Sequence, residues 1–243
     1  MTNDGMTNDG GNSTTAVLTT DAHASSSAAV ADDPRPLFAK AVRLGGQVVG
    51  GVRPDQLASP TPCDEYDVRT LLDHMIMVLR RVAAMGRGDD PFGPEVLASP
   101  SVSGDGWPAA WAVAADAVQE AWADDWALAR IVRLPWMEAN GAATLVVYLN
   151  ELTVHTWDLA VASGQQPAWD PEVLALAFDG IRFLPPTGRP AMFAEAKSHM
   201  APDFRAWSDP FADAVPVPDD APLVDRLVAY NGRDVNRWSG RRP

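Results

Sequence analysis

Apolar residues recur at three- and four-residue spacing over much of the chain, which is the period of an amphipathic helix. This pattern predicts four long helices, over residues 36–49, 68–82, 108–129 and 141–162. Asp67 provides an N-cap side chain for the second helix, and Gly164 provides the C-cap of the fourth. Four amphipathic helices joined by loops of this length predict a four-helix bundle.

The segments on either side of the predicted bundle have different compositions. Residues 1–33 repeat MTNDG and are then rich in Gly, Ser, Thr and Ala, so they bury too little apolar surface to order themselves. The bundle is expected over residues 34–164. Residues 165–243 are predicted to be a Pro-rich, mainly helical extension packed on the bundle. We expect helices over 171–184 and 223–231, irregular chain over 185–222, and a strand-like run only at 215–217.

The fourth helix carries two polar residues among apolar ones. Its side chains are apolar nearly all round, so the helix is predicted to be buried, yet Glu151 and His155 lie on one face, four residues apart. An ionised carboxylate in such a place costs several kcal/mol unless it is paired. Two interpretations follow. The residues form a buried hydrogen-bonded pair, or both are metal ligands, as in other helical pairs at this spacing.

A metal site requires a further ligand, and His74 on the second helix is the candidate. The chain has four histidines, of which His23 lies in the tail and His199 in the Pro-rich region. If the second and fourth helices face each other, His74, Glu151 and His155 converge inside the bundle. Two histidines and one carboxylate leave positions open on a zinc- or iron-like divalent ion.

Three stretches in this order resemble a known family. They are TPCDEYDVRTLLDHM (61–75), ELTVHTWDLAVASGQ (151–165) and FADAVPVPDDAPLVDRLVAYNGRD (211–234). The chain from Pro36 to Trp238 resembles the DinB-like helical bundles related to mycothiol-dependent maleylpyruvate isomerase, in an actinobacterial branch. The resemblance implies an all-α, DinB-like four-helix bundle in which His74, Glu151 and His155 hold the metal. Tyr66 stands where the family more often has Trp.

The resemblance also implies a function. We expect a metal-dependent enzyme that activates a low-molecular-weight thiol, mycothiol as co-substrate, for transfer to or isomerisation of a small electrophile. Zinc is the first choice of divalent metal, with nickel or iron as alternatives. Two other functions use the same ligands: a hydrolase whose nucleophile is metal-bound water, and a metal-binding or stress-associated protein without catalysis. The expected partners are the small-molecule substrate and the thiol, in a monomer or a homodimer.

Three further residues have both a functional and a structural interpretation. Asp158 lies close to the same stripe as Glu151 and His155, where it can orient a metal-bound histidine or a side chain such as Arg69, or form an ion pair that joins two helices. Arg69 is equally interpreted as a solvated first-turn residue. Cys63 lies in a Pro-flanked turn without a cationic neighbour in sequence, so we interpret it as a small buried hydrophobe.

Charge and composition limit the classes of binding partner and the location that we expect for the protein. The net charge is −13 and the basic residues form no cluster beyond Arg241 and Arg242, which disfavours nucleic acid and anionic membranes as partners. No apolar run is long enough to span a bilayer, and the start of the chain lacks the pattern of a secretory signal. Cys63 is the only cysteine, which excludes an internal disulfide. We therefore predict a cytoplasmic protein.

Overall fold

The computed structural model describes residues 33–100, 102–200 and 211–239, and every structural statement refers to these residues. The predicted tail with His23, apart from Asp33, lies outside them, as do residues 201–210 of the Pro-rich segment. The division of the chain into tail, bundle and extension stays a prediction.

The described chain is mostly helical, and the all-α prediction is confirmed. Up to residue 163 its helices are α1 (Arg35–Gly50), α2 (Val68–Arg87), α3 (Pro94–Leu97), α4 (Trp107–Ala121), α5 (Asp125–Ala129) and α6 (Gly141–Ser163). The four long ones form a ring in which α1 packs on α4, α4 on α2, α2 on α6, and α6 on α1. The second and fourth helices of the bundle are therefore neighbours, as convergence of the predicted ligands requires.

Helix α6 is the central element of the fold. Most of its residues are buried, because α1, α2, α5 and the C-terminal helix α7 (Pro171–Asp179) all pack against it. This explains why its sequence is apolar on nearly every side. Its ends are capped, since Asn140 Oδ1 accepts from the Ala143 amide at 2.8 Å and Gly164 adopts a left-handed conformation with φ +71°. Asp67 caps α2 in the same way, accepting from the Thr70 amide at 2.8 Å.

The predicted third helix is two helices in the structure. α4 ends at Ala121, and α5 begins after Asp124, so residues 122–124 turn the chain. Asp125 lies in the first turn of α5, where a carboxylate is favoured by the helix dipole. Apolar spacing continues across the turn, which is why periodicity alone predicted one long helix.

A short hairpin after α5 was not predicted. Strand β1 (Ile131–Leu134) pairs antiparallel with β2 (Met137–Asn140). In β1, Val132 and Leu134 are buried while Ile131 and Arg133 are exposed, so the strand follows the two-residue period. Four residues are too few for that alternation to stand out in the sequence.

The C-terminal region contains more helix than expected. Besides α7 it has α8 (Arg189–Ser198), α9 (Leu223–Tyr230) and α10 (Val235–Ser239), and α8 and α10 were not predicted. Helix α8 was not predicted because its segment is rich in proline. Pro190 lies in the first turn of the helix, where proline is tolerated. The run at 215–217 is not a strand, although the Val215 amide donates to the Ala229 carbonyl at 2.9 Å. No helix in the described part of the chain is long and apolar enough to cross a membrane.

Candidate metal centre

The three predicted ligands meet between α2 and α6. Glu151 Oε1 lies 3.1 Å from His74 Nε2 and 3.4 Å from His155 Nε2, and one ligand atom of each residue lies within 4.8 Å of the others. The two imidazole rings are 4.7 Å apart between centroids and nearly perpendicular. The side chains of both histidines are largely buried, whereas that of Glu151 is 26% exposed and is the most solvent-accessible of the three.

The separation of the ligand atoms fits a metal ion. Zinc binds imidazole nitrogen and carboxylate oxygen at about 2.0–2.2 Å. Two such ligands at a tetrahedral angle are then about 3.3–3.5 Å apart, by geometry from those bond lengths. The separations of Glu151 Oε1 from the two histidine nitrogens, 3.1 and 3.4 Å, lie close to this value. The distances from Glu151 to both histidines therefore suit a divalent ion shared by the three residues; that they hold one stays a prediction.

A buried carboxylate fixes the orientation of the His155 ring from the Nδ1 side. Its Nδ1–H donates to Asp158 Oδ2 at 3.0 Å, which directs Nε2 towards Glu151. Asp158 is fully buried and in turn accepts two hydrogen bonds from Arg233, from Nη2 at 2.8 Å and from Nε at 3.2 Å. A histidine ligand whose second nitrogen donates to a carboxylate is the usual arrangement in metal sites.

His74 is held less tightly. The Tyr66 hydroxyl lies 3.4 Å from His74 Nδ1, and the two rings are 5.1 Å apart between centroids. Tyr66 ends the turn before α2, in which the Thr61 hydroxyl bonds the carbonyls of Cys63 and Tyr66 at 2.9 and 2.8 Å. Tyr66 therefore adds a polar contact to His74, at a position where the family that the chain resembles more often has Trp.

The charges of the cluster are balanced in pairs. Burial alone would raise the pKa of Glu151, but the charge of His155 and hydrogen bonds from both histidines hold that pKa well below its usual range. Burial opposes the charge on His155, yet Glu151 and Asp158 together raise its pKa to about 9. Burial lowers the pKa of His74, which favours the neutral imidazole that a metal ligand must be.

Asp158 and Arg69 have separate places in the structure. Asp158 joins His155, as one of its two interpretations requires, and the cation it pairs with is Arg233. Arg69 is exposed, with its guanidinium 5.9 Å from the centroid of the Trp107 ring. That position matches the solvated first-turn alternative for Arg69.

Cys63 is closer to the site than its sequence context suggested. Its sulfur, a nitrogen of His155 and an oxygen of Asp158 lie within 4.8 Å of one another. This second group is the poorer metal site, because Asp158 is already paired with Arg233. The thiol is half-buried, and burial raises its pKa to about 11 although the charge of Arg233 acts the other way.

Arg233 is the residue that sequence reasoning missed. It follows Gly232, whose φ of +85° ends α9 and turns the chain back towards α6. It lies within the third resembling stretch, which marked it as part of a motif but assigned it no role. Its pairing with Asp158 spans 75 residues of sequence, and no local spacing indicates such a contact.

Comparisons with known proteins show the family of the chain. Residues 38–160 match the family model of the mycothiol maleylpyruvate isomerase N-terminal domain, and this range contains all three predicted ligands. Uncharacterised proteins from two strains of Mycobacterium tuberculosis are each 30% identical over 205 residues, covering 84% of this chain and 99% of the relative. No solved structure matches the chain.

Proposed function

We propose that this chain, which belongs to the family of the mycothiol maleylpyruvate isomerase N-terminal domain, is a metal-dependent enzyme that activates a low-molecular-weight thiol. The thiol, mycothiol, is transferred to a small electrophile or assists its isomerisation. The observation that carries the proposal is the convergence of His74, Glu151 and His155, with ligand atoms within 4.8 Å of one another and the Glu151 side chain 26% exposed.

The donor set favours zinc. Two imidazole nitrogens and one carboxylate form a common catalytic zinc set, and nickel or iron accept the same donors. A divalent ion held with open positions binds a thiolate and lowers the thiol pKa, which keeps the sulfur nucleophilic at neutral pH.

The protein groups around the ligands support this chemistry. Asp158 accepts the Nδ1 proton of His155, so Nε2 faces Glu151 and is the nitrogen whose proton a bound metal would displace. Arg233 neutralises Asp158 and keeps the carboxylate from binding a cation itself. Tyr66 limits rotation of the His74 ring through its hydroxyl contact.

A charge count favours an anionic co-substrate. The charged groups in contact within the cluster are Glu151 and Asp158, each negative, and Arg233, positive, when both histidines are neutral ligands. A divalent ion brings this sum to +1. One thiolate returns it to zero in a largely buried site, where uncompensated charge is costly.

The first test is metal content. Wild-type protein exchanged against zinc should retain about one ion per chain by elemental analysis, and His74→Ala should lose most of it, because a two-ligand site binds weakly. His199→Ala is the matched control: His199 is exposed, pairs with Glu195 and lies outside the cluster. Circular dichroism checks that each variant is folded. Wild type without retained metal contradicts the proposal.

The second test concerns the thiol. Cobalt-substituted protein should gain a sulfur-to-metal absorption band when mycothiol is added, and an electrophile such as a maleyl compound should be converted only with thiol present. Conversion without thiol would instead indicate a hydrolase. A metal-loaded protein without a thiol band or conversion would indicate a non-catalytic metal-binding protein.

A further inference from the structure

A cleft of about 260 Å³ lies next to the ligand cluster. It is lined by Pro60, Thr61, Asp64, Tyr66, Arg237 and Trp238. Tyr66 is shared by the cleft and the cluster, because its hydroxyl lies 3.4 Å from His74 Nδ1 and its ring centroid 6.4 Å from that of His155. A ligand in the cleft is thus separated from the predicted metal ligands by a single aromatic ring.

Two chain segments form the cleft. Pro60 to Tyr66 belong to the turn before α2, while Arg237 and Trp238 lie on α10. Asp234 fixes the start of α10, since its Oδ1 accepts from the amides of Asn236 and Arg237 at 3.0 and 3.1 Å. The cleft therefore exists only where the C-terminal segment meets the bundle.

Two lining side chains are available to bind a ligand. The Thr61 hydroxyl already bonds two backbone carbonyls. Asp64 and Arg237 are 76% and 64% exposed, and their closest oxygen and nitrogen are 3.5 Å apart. This separation exceeds the 2.7–2.9 Å of a charge-assisted hydrogen bond, and so exposed a pair contributes little to stability. A ligand hydroxyl can enter between the two groups at little cost.

The chemistry of the lining favours a neutral polyhydroxylated ring. The charges of Asp64 and Arg237 cancel, so the cleft has no net attraction for an anion or a cation. The carboxylate accepts hydrogen bonds from hydroxyl groups and the guanidinium donates to them. Trp238 and Pro60 add apolar wall against which the C–H face of a ring can pack. The volume is below the range of pockets that enclose whole ligands, which suits one end of a longer molecule.

We propose that this cleft binds the polyhydroxylated end of the thiol co-substrate, with Asp64 and Arg237 as the specificity-determining residues. The inference rests on the proposed function, since it assigns the part of mycothiol that lies away from the sulfur. In mycothiol a cysteinyl group carries the thiol and is joined to a glucosamine–inositol unit, which supplies the ring hydroxyls. The cleft selects this thiol over one without such rings.

The test uses a probe without sulfur. N-acetylglucosaminyl-inositol, whose amide is neutral as it is in mycothiol, is titrated into the full-length, zinc-loaded protein, and its binding is followed by saturation-transfer difference NMR. Asp64→Asn and Arg237→Gln should each weaken binding at least about fivefold, in line with loss of a hydrogen bond to a charged group. Arg53→Gln is the control, because Arg53 forms a similarly exposed pair with Asp55 and does not line the cleft.

Two outcomes would overturn the proposal. One is no binding of N-acetylglucosaminyl-inositol at millimolar concentration, or binding unchanged in both cleft variants. The other is displacement of the probe by inorganic phosphate or acetate at the same concentration as the probe itself, which would make the cleft an anion site. Free cysteine added to the cobalt form separates the two proposals. Its absorption band tests the metal–thiol chemistry alone, and should be the same in wild type, Asp64→Asn and Arg237→Gln.

Discussion

At the scale of single residues, the cluster shows how two carboxylates are kept in a largely apolar helix. Glu151 contacts both histidines, and Asp158 contacts His155 and Arg233. Each negative charge therefore has a positively charged or hydrogen-bonding neighbour, which offsets the cost of its burial. Removal of one member leaves a charge with less compensation, so these residues are expected to act as a unit in stability.

Cys63 gives a pH-dependent prediction at this scale. Its thiol pKa is raised to about 11, because burial disfavours the thiolate. The thiolate is the reactive form, so alkylation by iodoacetamide should be slow at pH 7.5 and should rise about tenfold per pH unit below the pKa. Mass spectrometry of the metal-free native protein measures the rate at this single cysteine. Free cysteine is the control and should level off above its ordinary pKa of about 8.5. A plateau below pH 9 for Cys63 would contradict the prediction.

At the scale of elements, one tryptophan in α4 and one just after it fix the distance of α4 from its two neighbours. Trp111 packs on Gly45 of α1 and donates to the Val42 carbonyl at 3.2 Å. Trp122, just after α4, packs on Gly86 of α2 and donates to the Val82 carbonyl at 2.9 Å. Glycine at each contact allows the indole to approach the helix backbone, so these pairs set the spacing of the ring that positions α2 and α6.

We therefore predict that Gly45→Ala destabilises the bundle. A Cβ at this position would lie 2.7 Å from Trp111 Cζ2, and the buried indole has little room to move. Overpacking of this kind costs about 1–3 kcal/mol relative to a substitution that adds only helix propensity. Gly50→Ala is that control, since its Cβ would meet nothing within 4 Å. Urea unfolding measures both variants, and equal midpoints would contradict the prediction.

The elements also show how far the sequence could predict the fold and the site. The four bundle helices, their caps at Asp67 and Gly164, and the three converging residues follow from periodicity and from the motifs. The break between α4 and α5 was not predicted, because apolar residues keep their helical spacing across it. The pairing of Arg233 with Asp158 and the cleft were not predicted either. Both depend on long-range contacts between the C-terminal segment and the bundle, which no local pattern encodes.

At the scale of the whole molecule, the end of the chain completes the surroundings of the candidate metal centre. Arg233 joins the segment after α9 to Asp158 on α6, and α10 forms one wall of the cleft. The family model ends at residue 160, before either element. The predicted ligands therefore lie within the matched range, whereas Arg233 and one wall of the adjoining cleft come from the later part of the chain.

The Asp158–Arg233 pair should couple this segment to both stability and metal binding, in ways that can be separated. Asp158→Asn removes the anion that compensates Arg233, and Arg233→Met leaves buried Asp158 with His155 as its remaining partner; each should cost about 3–5 kcal/mol of unfolding free energy. The double variant should cost less than the sum of the two, because neither charge then remains. Arg237→Gln, at an exposed pair, should change the free energy by no more than about 0.5 kcal/mol.

Zinc affinity should rank the Asp158 and Arg233 variants differently from their unfolding free energies. Asp158→Asn should weaken zinc binding about 10- to 100-fold in chelator competition, because His155 loses its anionic partner. Arg233→Met should leave zinc binding unchanged or tighter, since Asp158 then presents an uncompensated negative charge behind His155. The opposite ranking, with Arg233→Met the weaker binder, would mean that the arginine contributes to the centre by holding its geometry rather than by balancing its charge.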